Sequence, residues 1–203
     1  MIAKAHLPPY NGAFDADYIR LSPTERSMLS LATLDSGDRV LDMNAREGQL
    51  LEYLSRFIKC EICGVSGSMA DVKHTRAKLK NADILYTGSE DIPWRENSFD
   101  AVFWQTEYHA KSDIKLKEAL RVLKPGGQLL LGIVGYPTPR WQTARLFTND
   151  LETPRSLFLT NKSSWFQLLA DIGFHPIGWR SIYFTSKVVI GQKPITQDLE
   201  MNG

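Results

Sequence analysis

VLDMNAREGQLLEYL, residues 40–54, joins a short apolar run to an acidic residue, a loop of small and polar side chains, and leucines at helical spacing. The run RVLDM, 39–43, suits a parallel strand buried on both faces, where apolar residues follow one another without alternation. Beyond the loop, Leu50, Leu51, Leu54, Phe57 and Ile58 fall on one face of a helix. Strand, loop and helix in that order make the β-α unit of a parallel sheet.

The unit repeats downstream. EICGV (61–65) reads as a second strand, and Ser68 with Asp71 caps a helix whose apolar residues are Val72 and Leu79. ADILYTG (82–88) is a third strand. The turn-rich ENSFD introduces a fourth, from Phe99 to Thr106. A helix from about Ser112 to Leu123 stops at Lys124-Pro125-Gly126-Gly127, which cannot continue it and turns into the strand QLLLGIVG. A helix near 163–172 ends at Gly173. Strands around 177–184 and 187–191 follow, divided only by a tight turn, so the sheet must finish antiparallel. Upstream, Ser22, Pro23 and Glu25 spell a capping box for a helix predicted to run to Ser36-Gly37.

The expectation is an α/β, doubly wound, mostly parallel seven-stranded sheet with one antiparallel strand in a terminal hairpin. Residues 1–36 would form an arm and helix, 37–194 the main domain with a lid or insertion at 136–160, and 195–203 a loose tail. Such sheets bind ligands at the carboxyl ends of their strands, where strand order reverses.

Composition narrows the functions. With 24 Lys and Arg against 23 Asp and Glu, the net charge is +1. That leaves no basic field for a nucleic-acid backbone. MIAKAHLPPYNG at the N-terminus lacks an apolar signal core, and no 18-residue apolar run occurs. The expected protein is cytoplasmic and makes no membrane or nucleic-acid contact. Cys60 and Cys63 form a C-x-x-C, yet an offset of three in a strand sends the two thiols to opposite faces. They read as core or edge cysteines, without metal or redox chemistry.

Four segments in register resemble the class I S-adenosylmethionine (SAM) dependent methyltransferases of the small-molecule, type 11-like kind. They are VLDMNAREGQLLEYL, GVSGSMADVKHTRAKL, YTGSEDIPWRENSFDAVFW and EALRVLKPGGQLLLGI. With ADIGF and the last strands, the similarity runs over roughly residues 37–192. It implies a Rossmann-like fold, SAM as cofactor and a small-molecule acceptor.

Set against the family's Asp-x-Gly-x-Gly-x-Gly loop, this chain reads Asp42-Met43-Asn44-Ala45-Arg46-Glu47-Gly48. Asn44 can adopt the left-handed backbone that glycine supplies. Arg46 adds a long side chain, which either pairs with the cofactor carboxylate or fills the methionine end of the pocket. The family's acidic residue after the second strand, which accepts both ribose hydroxyls, aligns with Ser66. Asp71, one helical turn on, is not expected to replace it. The acidic residue that meets the adenine amino group aligns with Gly88, followed by Ser89 and Glu90. A one-residue slip would let Glu90 serve.

On the acceptor side, the segment after the fourth strand is Gln105-Thr106-Glu107-Tyr108-His109. The resemblance makes Gln105 a cofactor neighbour and His109 or Glu107 a candidate base. Trp94 either covers the adenine side or packs at an edge, and Tyr10, Tyr18, Trp141, Arg140 and Arg145 are candidate walls. Two functions follow: a methyltransferase for a small molecule, or a non-catalytic methyltransferase-like partner module with weak or no SAM binding.

Overall fold

The computed structural model describes residues 19–88, 91–107, 112–134, 162–182 and 186–195. Helix α1 (Pro23–Leu31) comes first, then β1 (Arg39–Asp42), α2 (Gln49–Tyr53) with a π-helical turn (Leu54–Ile58), β2 (Glu61–Ser66) and α3 (Met69–Lys78). Next come β3 (Asp83–Tyr86), β4 (Phe99–Glu107), α4 (Ser112–Val122), β5 (Leu123–Val134), α5 (Lys162–Ile172), β6 (His175–Ile182) and β7 (Ser186–Gln192).

The strands lie in the order β3-β2-β1-β4-β5-β7-β6, forming one seven-stranded sheet. β1 pairs in parallel with β2 on one side and β4 on the other. β7 runs antiparallel to both β5 and β6. Strand order reverses between β1 and β4, so their carboxyl ends open a crevice there. The expected sheet is the observed one.

Each face of the sheet is covered by its own core. Met28, Leu29, Val40, Leu51, Leu54 and Phe103 pack on one side. Leu41, Val102, Trp104, Leu116, Trp165 and Phe174 pack on the other. Alternation within β1 sends Val40 and Leu41 to opposite cores. The same alternation in and before β2 puts Cys60 in the first core and Cys63 in the second. Burial pushes both thiols up, Cys60 to about 12 and Cys63 to about 11, which keeps them protonated at neutral pH.

Several local expectations are revised. α1 ends at Leu31, short of Ser36, because the backbone turns extended at Ala32 and the Thr33 N–H reaches across to the Gln128 side chain at 3.1 Å. Phe57, expected on the buried face of the second helix, is 54% exposed. The π-turn changes the angular step per residue and rotates it off the leucine stripe. The Lys124–Gly127 turn lies inside β5 as an irregularity, where partners step from Phe99↔Leu123 to Ala101↔Gln128. The arm, the 136–160 insertion and residues 196–203 lie outside the described residues.

α1 reaches the site because β5 carries a glycine beneath it. A Cβ on Gly132 would meet Thr24 Cγ2 at 2.6 Å and Met28 Sδ at 2.9 Å. Any larger residue there would push the helix away from the sheet.

Candidate active site at the ends of the first two strands

The loop after β1 is fixed from both sides. The Met43 N–H donates to the Phe103 carbonyl at 2.8 Å, and the Ala45 N–H to the Val65 carbonyl at 2.9 Å. Asn44 donates its backbone N–H to Asp42 Oδ1 (2.9 Å) and its side-chain Nδ2–H to the Gln105 carbonyl (3.2 Å). Asn44 does not take the left-handed backbone open to it. Arg46 takes that conformation instead, at φ 40°, with Gly48 at φ 75°. The Thr75 hydroxyl donates to the Arg46 carbonyl at 2.8 Å and pins the turn to α3.

Asp42 is 6% exposed at the end of β1. Burial pushes its carboxyl up to about 7, opposed by the Asn44 N–H, with Glu25 raising it and Arg46 lowering it. Its Oδ1 holds Asn44, while Oδ2 has no hydrogen-bond partner among the described residues.

A cavity of about 770 Å³ opens beyond this loop, with Asn44, Arg46, Glu47, Asp71 and Gln105 on its walls. Arg20, Ser22 and Glu25, from the start of α1, close another side. A chamber of about 10 Å³ adjoins it and carries Asp42 beside Glu25, Asn44, Arg46 and Gln105. Arg46 is exposed and borders the cavity without filling it. The α1 residues were read from sequence only as a helix cap. Their place in front of β1 follows from packing on Gly132, which no local pattern announces.

Ser66 is buried at the end of β2, 4% exposed. Its Oγ accepts the Ser68 N–H (3.1 Å), and its hydroxyl lies 3.4 Å from Asp71 Oδ2 as donor. Asp71, which also lines the cavity, is thereby tied to the β2 terminus. Gly88 is exposed and is not among the cavity's lining residues. Gly48 lies buried under the loop against Thr75. Glu107 closes β4 opposite Val134, while Ser89, Glu90 and His109 lie outside the described residues, as do Tyr10, Tyr18, Arg140, Trp141 and Arg145.

Trp94 packs edge-on against Phe99, at 5.5 Å and 83°, and so belongs to the core edge. Its segment is gripped from α4. Arg121 donates to the carbonyls of Ile92 (2.9 Å) and Trp94 (2.8 Å), and Glu118 accepts the Ile92 N–H at 2.9 Å. Two bonds of 2.7 Å join the Arg121 guanidinium to the Glu118 carboxylate.

Residues 41–131 match the family described as a methyltransferase domain. The chain is 35% identical over 103 residues to the ubiquinone/menaquinone biosynthesis C-methyltransferase UbiE of Rhizobium meliloti, covering 46% of this chain and 40% of that protein. With the protein of the same name from Pseudomonas putida it shares 27% over 157 residues, covering 66% and 61%. The chain thus spans less than two thirds of these relatives. A SAM dependent methyltransferase from Aquifex aeolicus has the same fold, with a TM-score of 0.63 at 20% identity over 83% of this chain and 88% of that one. Residues 41–131 thus resemble a methyltransferase domain, and the sheet they belong to has the fold of a SAM-dependent methyltransferase.

The crevice fits a polar, charged ligand of SAM's kind. A buried carboxylate oxygen of Asp42 awaits a donor, and Arg46 sets a cation beside the same space. The cavity volume lies in the range of small-molecule sites. Among the described residues no helix is long and apolar enough to cross a membrane.

Proposed function

We propose that this chain is an enzyme that moves the methyl group of SAM to a small-molecule acceptor in the cytoplasm. One observation carries the reading: the charged cavity at the β1 and β2 termini, with Arg46 at its wall and Asp42 Oδ2 beneath it without a hydrogen-bond partner among the described residues. When bound, SAM supplies a methyl group already activated by its sulfonium. The protein's part is therefore to position and desolvate.

In this reading Arg46 pairs with the carboxylate of the amino-acid tail, and Asp42 faces its ammonium group with Asn44 and Gln105 alongside. Gly48 gives α2 its close approach. Gly88, Ser89 and Glu90 contact the base. Glu107 and His109, at the end of β4 and just beyond it, orient the acceptor and take its proton. The relatives' names support a small organic acceptor, and their limited overlap leaves its identity to experiment.

Titration calorimetry with SAM and S-adenosylhomocysteine tests the reading. A dissociation constant of micromolar order is expected, with methyl transfer from labelled SAM to a small-molecule extract. Arg46, Ser66 and Gly88 favour one rival, a non-catalytic partner module, because three cofactor positions depart from the family pattern together. Silence at millimolar ligand from a folded protein would establish that rival.

A further inference from the structure

α1 and α3 begin with the same motif and use it differently. In α1 the capping box is complete: the Ser22 hydroxyl accepts the Glu25 N–H, and the Glu25 carboxylate accepts the Ser22 N–H at 2.6 Å. In α3 only half of it forms. Ser68 Oγ accepts the Asp71 N–H at 3.3 Å, but the Ser68 N–H donates to Ser66 Oγ at 3.1 Å and not to Asp71. The buried serine at the end of β2 has taken the acceptor role that the acid of a capping box fills. That leaves the Asp71 carboxylate unused in capping. It lines the cavity and has Ser66 as its one hydrogen-bond partner among the described side chains.

A carboxylate so held has a definite use. One oxygen, Oδ2, is steadied by the Ser66 hydroxyl, while the other keeps its lone pairs for a ligand. A carboxylate accepts hydrogen bonds and donates none, so it suits a ligand that presents donors, such as the paired hydroxyls of a sugar. Asp42, whose Oδ2 likewise has no partner among the described residues, marks the neighbouring floor of the same crevice as built for polar contact.

We infer that Asp71, steadied by Ser66, is the residue of this chain that receives the ribose hydroxyls of the adenosyl ligand. This rests on the proposed SAM binding. It moves the acidic contact from the strand terminus to the first turn of the following helix, with Ser66 as a positioning residue. The serine at the strand end is then a support for the acid rather than a poor substitute for it.

The test is calorimetric and needs no turnover. S-adenosylhomocysteine and its 2′-deoxy and 3′-deoxy analogues are titrated into the wild type and Asp71→Asn, which keeps the side-chain shape and an acceptor for Ser66. Hydrogen bonds to charged groups set the expected scale. Asp71→Asn should bind S-adenosylhomocysteine about 10- to 100-fold more weakly and lose little further with at least one deoxy analogue. The wild type should discriminate against that analogue by a similar factor, a comparison that needs no variant. Ser66→Ala, which loosens the carboxylate without removing it, should lose less than Asp71→Asn. Binding by Asp71→Asn within twofold of wild type, or an equal loss with all three ligands, overturns this inference and leaves the proposed function standing. A folded wild type that binds none of them overturns both.

Discussion

Thr75 lies under the first turn of the site, its hydroxyl donating to the Arg46 carbonyl at 2.8 Å while its methyl group fills the space beside Gly48. One buried side chain on α3 thus holds a left-handed arginine and excludes a Cβ two residues later. Thr75→Val keeps the shape and removes the bond. It should cost about 1–2 kcal/mol in urea unfolding, and a change under about 0.3 kcal/mol would show that the turn stands without it.

Gly48 is constrained twice. Its φ is 75°, and an added Cβ would come within 2.6 Å of Thr75 Cγ2. Gly48→Ala is expected to destabilise by roughly 2–4 kcal/mol, from backbone strain and overpacking together. Adding Thr75→Ser deletes the offending methyl group and should recover part of that loss. An alanine variant that unfolds at the wild-type midpoint contradicts the argument.

Asp42 predicts a pH effect of definite sign. Its carboxyl is raised from 3.8 to about 7 in the folded chain, chiefly by burial. Well below pH 4 it is neutral in both states and costs nothing. As pH rises toward 7 the unfolded chain ionises first, so Asp42 lowers stability progressively, by roughly 2–4 kcal/mol once fully charged. Asp42→Asn, which still accepts the Asn44 N–H, should gain on wild type across that window. A stability difference that is flat from pH 4 to 8 rejects the assignment.

Putting an acid back at the end of β2 should fail. Ser66→Asp would set a carboxylate against Asp71, whose Oδ2 lies 3.4 Å from the present hydroxyl. Like charges at that spacing oppose each other, and the Ser68 N–H would also be rearranged. S-adenosylhomocysteine should bind more weakly to Ser66→Asp than to wild type. Tighter binding would mean that Asp71 is not the working acid.

Arg121 holds the segment after β3 by a fork that lysine cannot copy. It reaches the carbonyls of Ile92 and Trp94 while paired with Glu118. The Glu118 carboxyl is held below its usual range, first by the bond from Arg121. Its stabilisation is therefore present above its unfolded value and lost as pH falls through the folded one. Arg121→Lys should cost about 1–2 kcal/mol near neutrality. Equal thermal stability of the two proteins would count against the clamp.

The chain's own pattern determined the sheet. Apolar runs at 39–43, 61–65 and 99–106, each with a helix signal behind it, leave few alternatives to a parallel β-α array, and a hairpin at the end forces the reversal of β7. Those are local periodicities and chain connections, which neighbouring residues carry by themselves. The site was legible only in part. Asp42, Asn44, Arg46 and Gln105 could be placed by register, yet it is Arg46 that takes the left-handed backbone open to Asn44, while the Asn44 side chain bonds to Gln105, 61 residues away. Asp71 lines the cavity with its carboxylate turned to Ser66 and not to the α3 cap, and α1 became a wall because Gly132 let it settle on β5. Contacts between residues far apart in sequence decide such matters, since which of several possible hydrogen bonds forms depends on what packing brings within reach.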